Sequence, residues 1–155
     1  MSMTSNEQSV VDEGEFTVRR TIRINAPLEK VWAAITEAEH LAKWFPETAV
    51  LSPVAVGAKG AFTWADHGTF PVVIEQLDPL HSISYRWGNS SPEPLDPARS
   101  TVFTFTLESV DAATQLTVVE TGFDSLSDPS AAMESNRGGW DFELDELVAY
   151  LEGSA

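Results

Sequence analysis

The chain contains no cysteine. That removes disulfides, thiolate nucleophiles and cysteine-ligated metal sites together. Positive charge is equally scarce: nine Lys and Arg stand against 24 Asp and Glu, a formal net charge of −15 at pH 7. Such a chain repels phosphate backbones and anionic lipid, which argues against nucleic acid and membrane surfaces as partners. No apolar run approaches the length of a membrane-spanning helix. The first 15 residues are polar and acidic and lack the basic start and apolar stretch of a secretory leader, so the expected compartment is the cytoplasm. His40, His67 and His81 form neither a helical pair nor a short metal spacing, and no metal is expected. No nucleophile elbow or glycine-rich phosphate loop occurs either, so no cofactor and no catalytic set are expected.

What is present suits one globular domain. The 155 residues are 43% hydrophobic and 10% aromatic, enough for a substantial core and too few for two ordinary domains. Residues 1–15 have few apolar side chains and no period, which predicts a disordered acidic tail ahead of a single domain over 16–155. Phe16, Val18, Ile22 and Ile24 then alternate as in a half-buried strand, with Arg20 as a charged member of the apolar face. Pro27 opens a helix in which Leu28, Val31, Trp32 and Ile35 share one side. A second short helix over 38–45 groups Leu41, Trp44 and Phe45 before Pro46.

The period then changes from helical to alternating. Strands are predicted over 50–51, 60–64, 69–77, 82–87, 101–109 and 115–121, and their short connections favour antiparallel neighbours. The loop over 88–97 carries three prolines and reads as an exposed hairpin tip. A final helix over 130–152, roughly 34 Å long at the standard rise, lines up Met133, Trp140, Leu144, Leu147, Val148 and Leu151. Inside it stand Gly138 and Gly139. Each costs about 1 kcal/mol relative to alanine in a helix interior. Close approach to another surface would justify them, or the helix begins at Asn136 as N-cap with the glycines in its first turn.

Several phrases carry a family resemblance: Ile24-Asn25-Ala26-Pro27-Leu28-Glu29-Lys30-Val31-Trp32, Leu41-Ala42-Lys43-Trp44-Phe45, Thr114-Gln115-Leu116-Thr117-Val118, and Gly139-Trp140 followed by Leu144, Leu147 and Tyr150-Leu151. Over about residues 16–151 the chain resembles the START-like superfamily. Within it, the chain is most similar to bacterial proteins related to the C-terminal domain of the activator of the heat-shock protein 90 ATPase. The resemblance implies an α+β helix-grip fold, with a curved antiparallel sheet of six or seven strands wrapped around the long C-terminal helix and two short helices after the first strand. It also implies a cavity between that helix and the concave face, and a chaperone ATPase as a partner in a stress response.

Strand alternation puts Ile83, Tyr85 and Trp87 on one face, with Phe103, Phe105 and Leu107, and Leu116, Val118 and Glu120, on their own strands' faces. If the apolar sets face inward, Glu120 comes with them, as a general base, a ligand anchor or an ion-pair partner of Arg20 or of an Arg on a neighbouring strand; otherwise it is exposed at a strand end. The expected ligand-binding set is therefore Trp44, Trp64, Phe70, Tyr85, Trp87, Phe103, Phe105, Glu120, Asn136, Trp140 and Leu144. The expected function is binding of a small apolar or amphipathic molecule by a monomer or weak homodimer. A chaperone-linked protein and an enzyme resembling the polyketide cyclases are the alternatives.

Overall fold

A computed structural model describes residues 6–88 and 95–153. Eight strands make one antiparallel sheet: β1 (Val10–Asp12), β2 (Thr17–Ile24), β3 (Thr48–Leu51), β4 (Lys59–Trp64), β5 (Gly68–Asp78), β6 (Ser82–Gly88), β7 (Ser100–Val110) and β8 (Ala113–Thr121). Their order across the sheet is β1-β2-β8-β7-β6-β5-β4-β3. Two short helices, α1 (Leu28–Thr36) and α2 (Ala38–Trp44), bridge β2 and β3, and α3 (Pro129–Gly153) closes the chain. This is the helix-grip α+β architecture, and its elements lie within a few residues of those read from periodicity. Most of the proline loop expected over 88–97 lies outside the described residues.

The sheet has one strand more than the six or seven expected, and the extra one comes from the stretch read as a disordered tail. Val10, Val11 and Asp12 pair with Arg19, Val18 and Thr17 of β2. The segment is tied down further by Ser9, whose backbone N–H donates to Asp141 Oδ1 at 2.7 Å and whose hydroxyl donates to the Arg137 carbonyl at 2.8 Å. Three residues are too few to show a period, so only these tertiary partners reveal the strand.

Arg20 also departs from expectation. It does face inward and is buried, yet it pairs with α3 rather than with Glu120. Its guanidinium reaches Asp145 at 2.8 Å and Asp141 at 3.6 Å, and donates to the carbonyls of Glu7, Trp140 and Asp141. A buried charge needs several such partners to offset its lost hydration. Arg20 thereby fastens β2, the N-terminal segment and the middle of α3 to one another.

The last turn of α1 shows how the core handles polar backbone. A helix leaves its final four carbonyls without intrahelical partners. The Glu37 backbone N–H closes the helix on Ala33 O, and the Thr36 hydroxyl turns back onto Trp32 O. Ala34 O accepts from Trp44 Nε1 at 2.8 Å, and Ile35 O from the Tyr85 hydroxyl at 2.6 Å. Both aromatic side chains are buried, so their polar tips are committed to the scaffold.

Local irregularities shape the sheet and the entry into α3. The β5–β6 register shifts between Ile74 and Gln76, a bulge of the kind that bends a strand. After β8, Gly122 takes a φ of 95°, and a Cβ there would come within 2.9 Å of the Ser100 carbonyl oxygen, so glycine is required. Asp128 then accepts from the Ala131 backbone N–H at 3.2 Å, and Pro129 opens the helix. This start rules out a helix beginning at Asn136 and leaves Gly138 and Gly139 in the helix interior.

Candidate functional site

The inward faces of β6, β7 and β8 deliver a charged group into an aromatic core. Alternation along β8 buries Leu116, Val118 and Glu120. The register sets Glu120 opposite Val18 on one side and Phe103 on the other, both fully buried, and Glu120 itself is 0% exposed. Four side chains donate to it. Thr101 Oγ1 and Trp87 Nε1 donate to Oε2 at 2.6 and 3.0 Å, and Trp140 Nε1 donates to Oε1 at 2.8 Å. Asn136 Nδ2 lies 3.1 Å from both oxygens.

Among the described residues no basic side chain pairs with this carboxyl. Burial pushes its pKa above the ordinary carboxylate value, opposed by the hydrogen bonds from Thr101, Trp87, Trp140 and Asn136. Glu120 thus holds two strands and α3 at fixed distances. Three of its donors, Trp87, Asn136 and Trp140, also form part of a cavity wall.

That cavity measures about 570 Å³ and lies between α3 and the β4–β6 part of the sheet. The sheet side supplies Trp64, Phe70 and Trp87, with Phe45 from the end of α2. The rings are mutually in contact: Phe45 lies 5.2 Å from Trp64 and 5.5 Å from Trp140, and Trp64 lies 5.9 Å from Trp87. Their planes differ widely, 25° between Phe45 and Trp140 but 83° between Phe45 and Trp64, so the walls are inclined to one another. The helix side supplies Asn136, Gly139, Trp140, Phe142 and Glu143. Phe142 is 65% exposed and stands at the rim.

Gly139 reverses the reading of the glycine pair. A Cβ built on either Gly138 or Gly139 meets nothing within 4 Å, so neither glycine brings the helix against another surface. Gly139 lines the cavity, and its missing side chain leaves room there. One turn on, Glu143 Oε2 accepts from Trp64 Nε1 at 3.0 Å. Burial is the main cause pushing the Glu143 carboxyl up to about 7; the Trp64 hydrogen bond opposes it and the nearby Glu146 charge adds to it.

The expected site residues divide into three groups. Trp64, Phe70, Trp87, Asn136 and Trp140 line the cavity. Glu120 stands behind them as the acceptor that positions three. Trp44, Tyr85, Phe103, Phe105 and Leu144 lie in the packed core, with the polar atoms of Trp44 and Tyr85 spent on α1 carbonyls. Phe45, His67, Phe142 and Glu143 were not in the expected set and line the cavity. On α3 a usable signal existed: Asn136, Gly139, Trp140 and Glu143 recur at three- and four-residue spacing, which puts them on one helix face.

Among the described residues no helix is long and apolar enough to cross a membrane, and no cluster of His, Asp and Glu could hold a metal ion. No curated protein matches the chain. Solved structures do. A protein of Mesorhizobium loti, MLL2253, is 26% identical with a TM-score of 0.77, over 90% of this chain and 98% of that one. DynU16, a protein of the dynemicin biosynthetic locus, is 25% identical with a TM-score of 0.71, over 88% of this chain but 47% of its own. The Aha1 dimer of Colwellia psychrerythraea, at 22% identity and a TM-score of 0.72, shares the fold over 90% of this chain and 98% of that one. The helix-grip architecture agrees with the family model for activator of Hsp90 ATPase homolog 1-like proteins, which matches residues 25–152, and the chain belongs to that family.

Proposed function

We propose that this protein binds a small, largely apolar molecule between α3 and the β4–β6 part of the sheet. The observation that carries the reading is the cavity itself: about 570 Å³, walled by aromatic side chains, with an internal glycine of α3 leaving space in it. Ligand sites of small molecules commonly enclose roughly 300 to 1,000 Å³ with apolar walls and a few polar groups. Ser135, Asn136 and Glu143 are the polar groups on the helix side, and Glu120 keeps Trp87, Asn136 and Trp140 in place behind them. Apolar burial would supply the affinity and the polar groups the orientation.

The experiment is a thermal-shift screen of apolar and amphipathic compounds on the full chain, followed by Gly139→Phe. A compound that raises the melting temperature of the wild type and leaves Gly139→Phe unmoved supports the reading. A hit that stabilises both equally places binding elsewhere.

A second reading, an enzyme similar to the polyketide cyclases, draws on Glu143. A half-buried carboxyl near pKa 7 on a cavity wall has the proton affinity of a general acid or base. Turnover of a polyketide-like substrate, abolished by Glu143→Gln with binding retained, would establish it. Binding without turnover leaves the first reading alone.

A further inference from the structure

We infer that the cavity selects an organic cation, an amine or quaternary ammonium carried on an apolar body. The inference rests on reading the cavity as a binding site and names the chemistry of its occupant. Six aromatic side chains, Phe45, Trp64, Phe70, Trp87, Trp140 and Phe142, line the space. Aromatic rings carry negative charge on their faces, and a cation among several of them is attracted, most strongly to tryptophan. Here three of the six are tryptophans.

Charge on the walls points the same way. Among the described residues no Lys or Arg lines the cavity, while Glu143 does. Its oxygen accepts one hydrogen bond, from Trp64 Nε1, and none of the ion pairs includes it. Among the described residues Glu143 is therefore a half-buried carboxyl without a basic partner. Trp64 and, on the same helix, Glu146 act on it directly, and Ser135, Asn136 and His67 are further polar side chains on the cavity wall. Burial and Glu146 both favour its protonated form, and a bound cation would supply the missing counter-charge and draw the carboxyl back to its ionised state. An anionic ligand would meet Glu143 with no Lys or Arg among the described wall residues to offset it. A neutral ligand would gain from the rings and from hydrogen bonds on the wall, without the attraction between opposite charges.

Three probes of like size separate these cases: naphthylmethylamine, naphthylmethanol and naphthoate, titrated calorimetrically into the full chain at about pH 8. Moderate salt, about 0.3 M, suppresses attraction by the net negative surface. The amine should bind at least about tenfold more tightly than the alcohol, with naphthoate weakest. Glu143→Gln keeps an oxygen to accept from Trp64, so it should fold, and it should lose most of the preference for the amine over the alcohol. Equal or tighter binding of the alcohol, or a preference for the amine that survives Glu143→Gln, overturns the inference and leaves the binding-site reading standing. If none of the three binds, the binding-site reading fails together with it.

Discussion

Trp140 Nε1 donates to Glu120 Oε1 over 2.8 Å, and the same indole forms part of the cavity wall. One hydrogen bond thus connects the interior of the sheet to the shape of the site. Trp87 makes the equivalent connection from β6, donating to the other carboxylate oxygen at 3.0 Å. Glu120 is best understood as a positioning residue: it lies behind the wall and sets where two tryptophans and Asn136 stand.

Replacing Glu120 should therefore cost more as acceptors are removed. Glu120→Leu removes the shared acceptor of Trp87, Trp140, Asn136 and Thr101; Trp87 keeps Thr101 Oγ1 as a second acceptor, while Trp140 and Asn136 lose theirs, at about 1–3 kcal/mol for each buried group left unsatisfied. Relaxation and water entry will moderate the sum, and a loss of about 4 kcal/mol is expected. Glu120→Gln retains one carbonyl oxygen and should lose about 2 kcal/mol. Urea denaturation of both variants checks the order; a leucine variant as stable as the glutamine one would contradict it.

The pH dependence of stability follows from Glu143. Its folded pKa, about 7, lies above the ordinary 4.5, so the folded state holds this proton more tightly than the unfolded state. Stability from this group is fully present below 4.5, falls as pH rises from there to about 7, and is level beyond. Glu120 is shifted in the same direction and adds to the fall. Glu143→Gln should remove its share, so urea midpoints measured from pH 4.5 to 8 should decline less steeply than in the wild type. Parallel curves would show that Glu143 is not shifted.

Gly138→Ala and Gly139→Ala should each stabilise the protein by about 1 kcal/mol, because alanine is the better helix former and its Cβ meets nothing within 4 Å at either position. Thermal melts read the effect directly. A drop in melting temperature at position 139 would mean that the space beside it is filled.

Tyr85→Phe removes the donor to Ile35 O at the end of α1 while keeping the ring. The loss should be about 1–3 kcal/mol, the cost of a buried carbonyl left without a partner. The same variant should leave the thermal shift from any cavity ligand unchanged, since Tyr85 lies in the core rather than on the wall. Loss of the ligand shift with stability intact would reassign Tyr85 to the site.

The architecture was largely legible because its elements announce themselves locally. Period-two apolar residues mark β6 to β8, and Pro27 and Asp128-Pro129 sit at helix starts. The inward placement of Glu120 was also legible, from its step along β8 behind Leu116 and Val118. Its partners were not. Arg20 and Glu120 both face inward from adjacent strands, yet Arg20 is taken by Asp145 and Asp141, and Glu120 by neutral donors. Pairing depends on where α3 crosses the sheet, which no local pattern states.

By itself, the sequence determined the element types other than β1, the inward faces of β6 to β8 and the absence of thiol chemistry, because alternation, helical spacing and composition act over a few residues. Tertiary structure decided which aromatics are wall and which are core. Trp44 and Tyr85 spend their polar atoms on the end of α1, whereas Trp64 and Trp87 reach across to Glu143 and Glu120 beside the cavity. It also decided that Gly139 leaves open space instead of closing a contact. An identical side chain serves either purpose, and the outcome depends on distances between segments far apart in the chain, set only when α3 seats against the sheet.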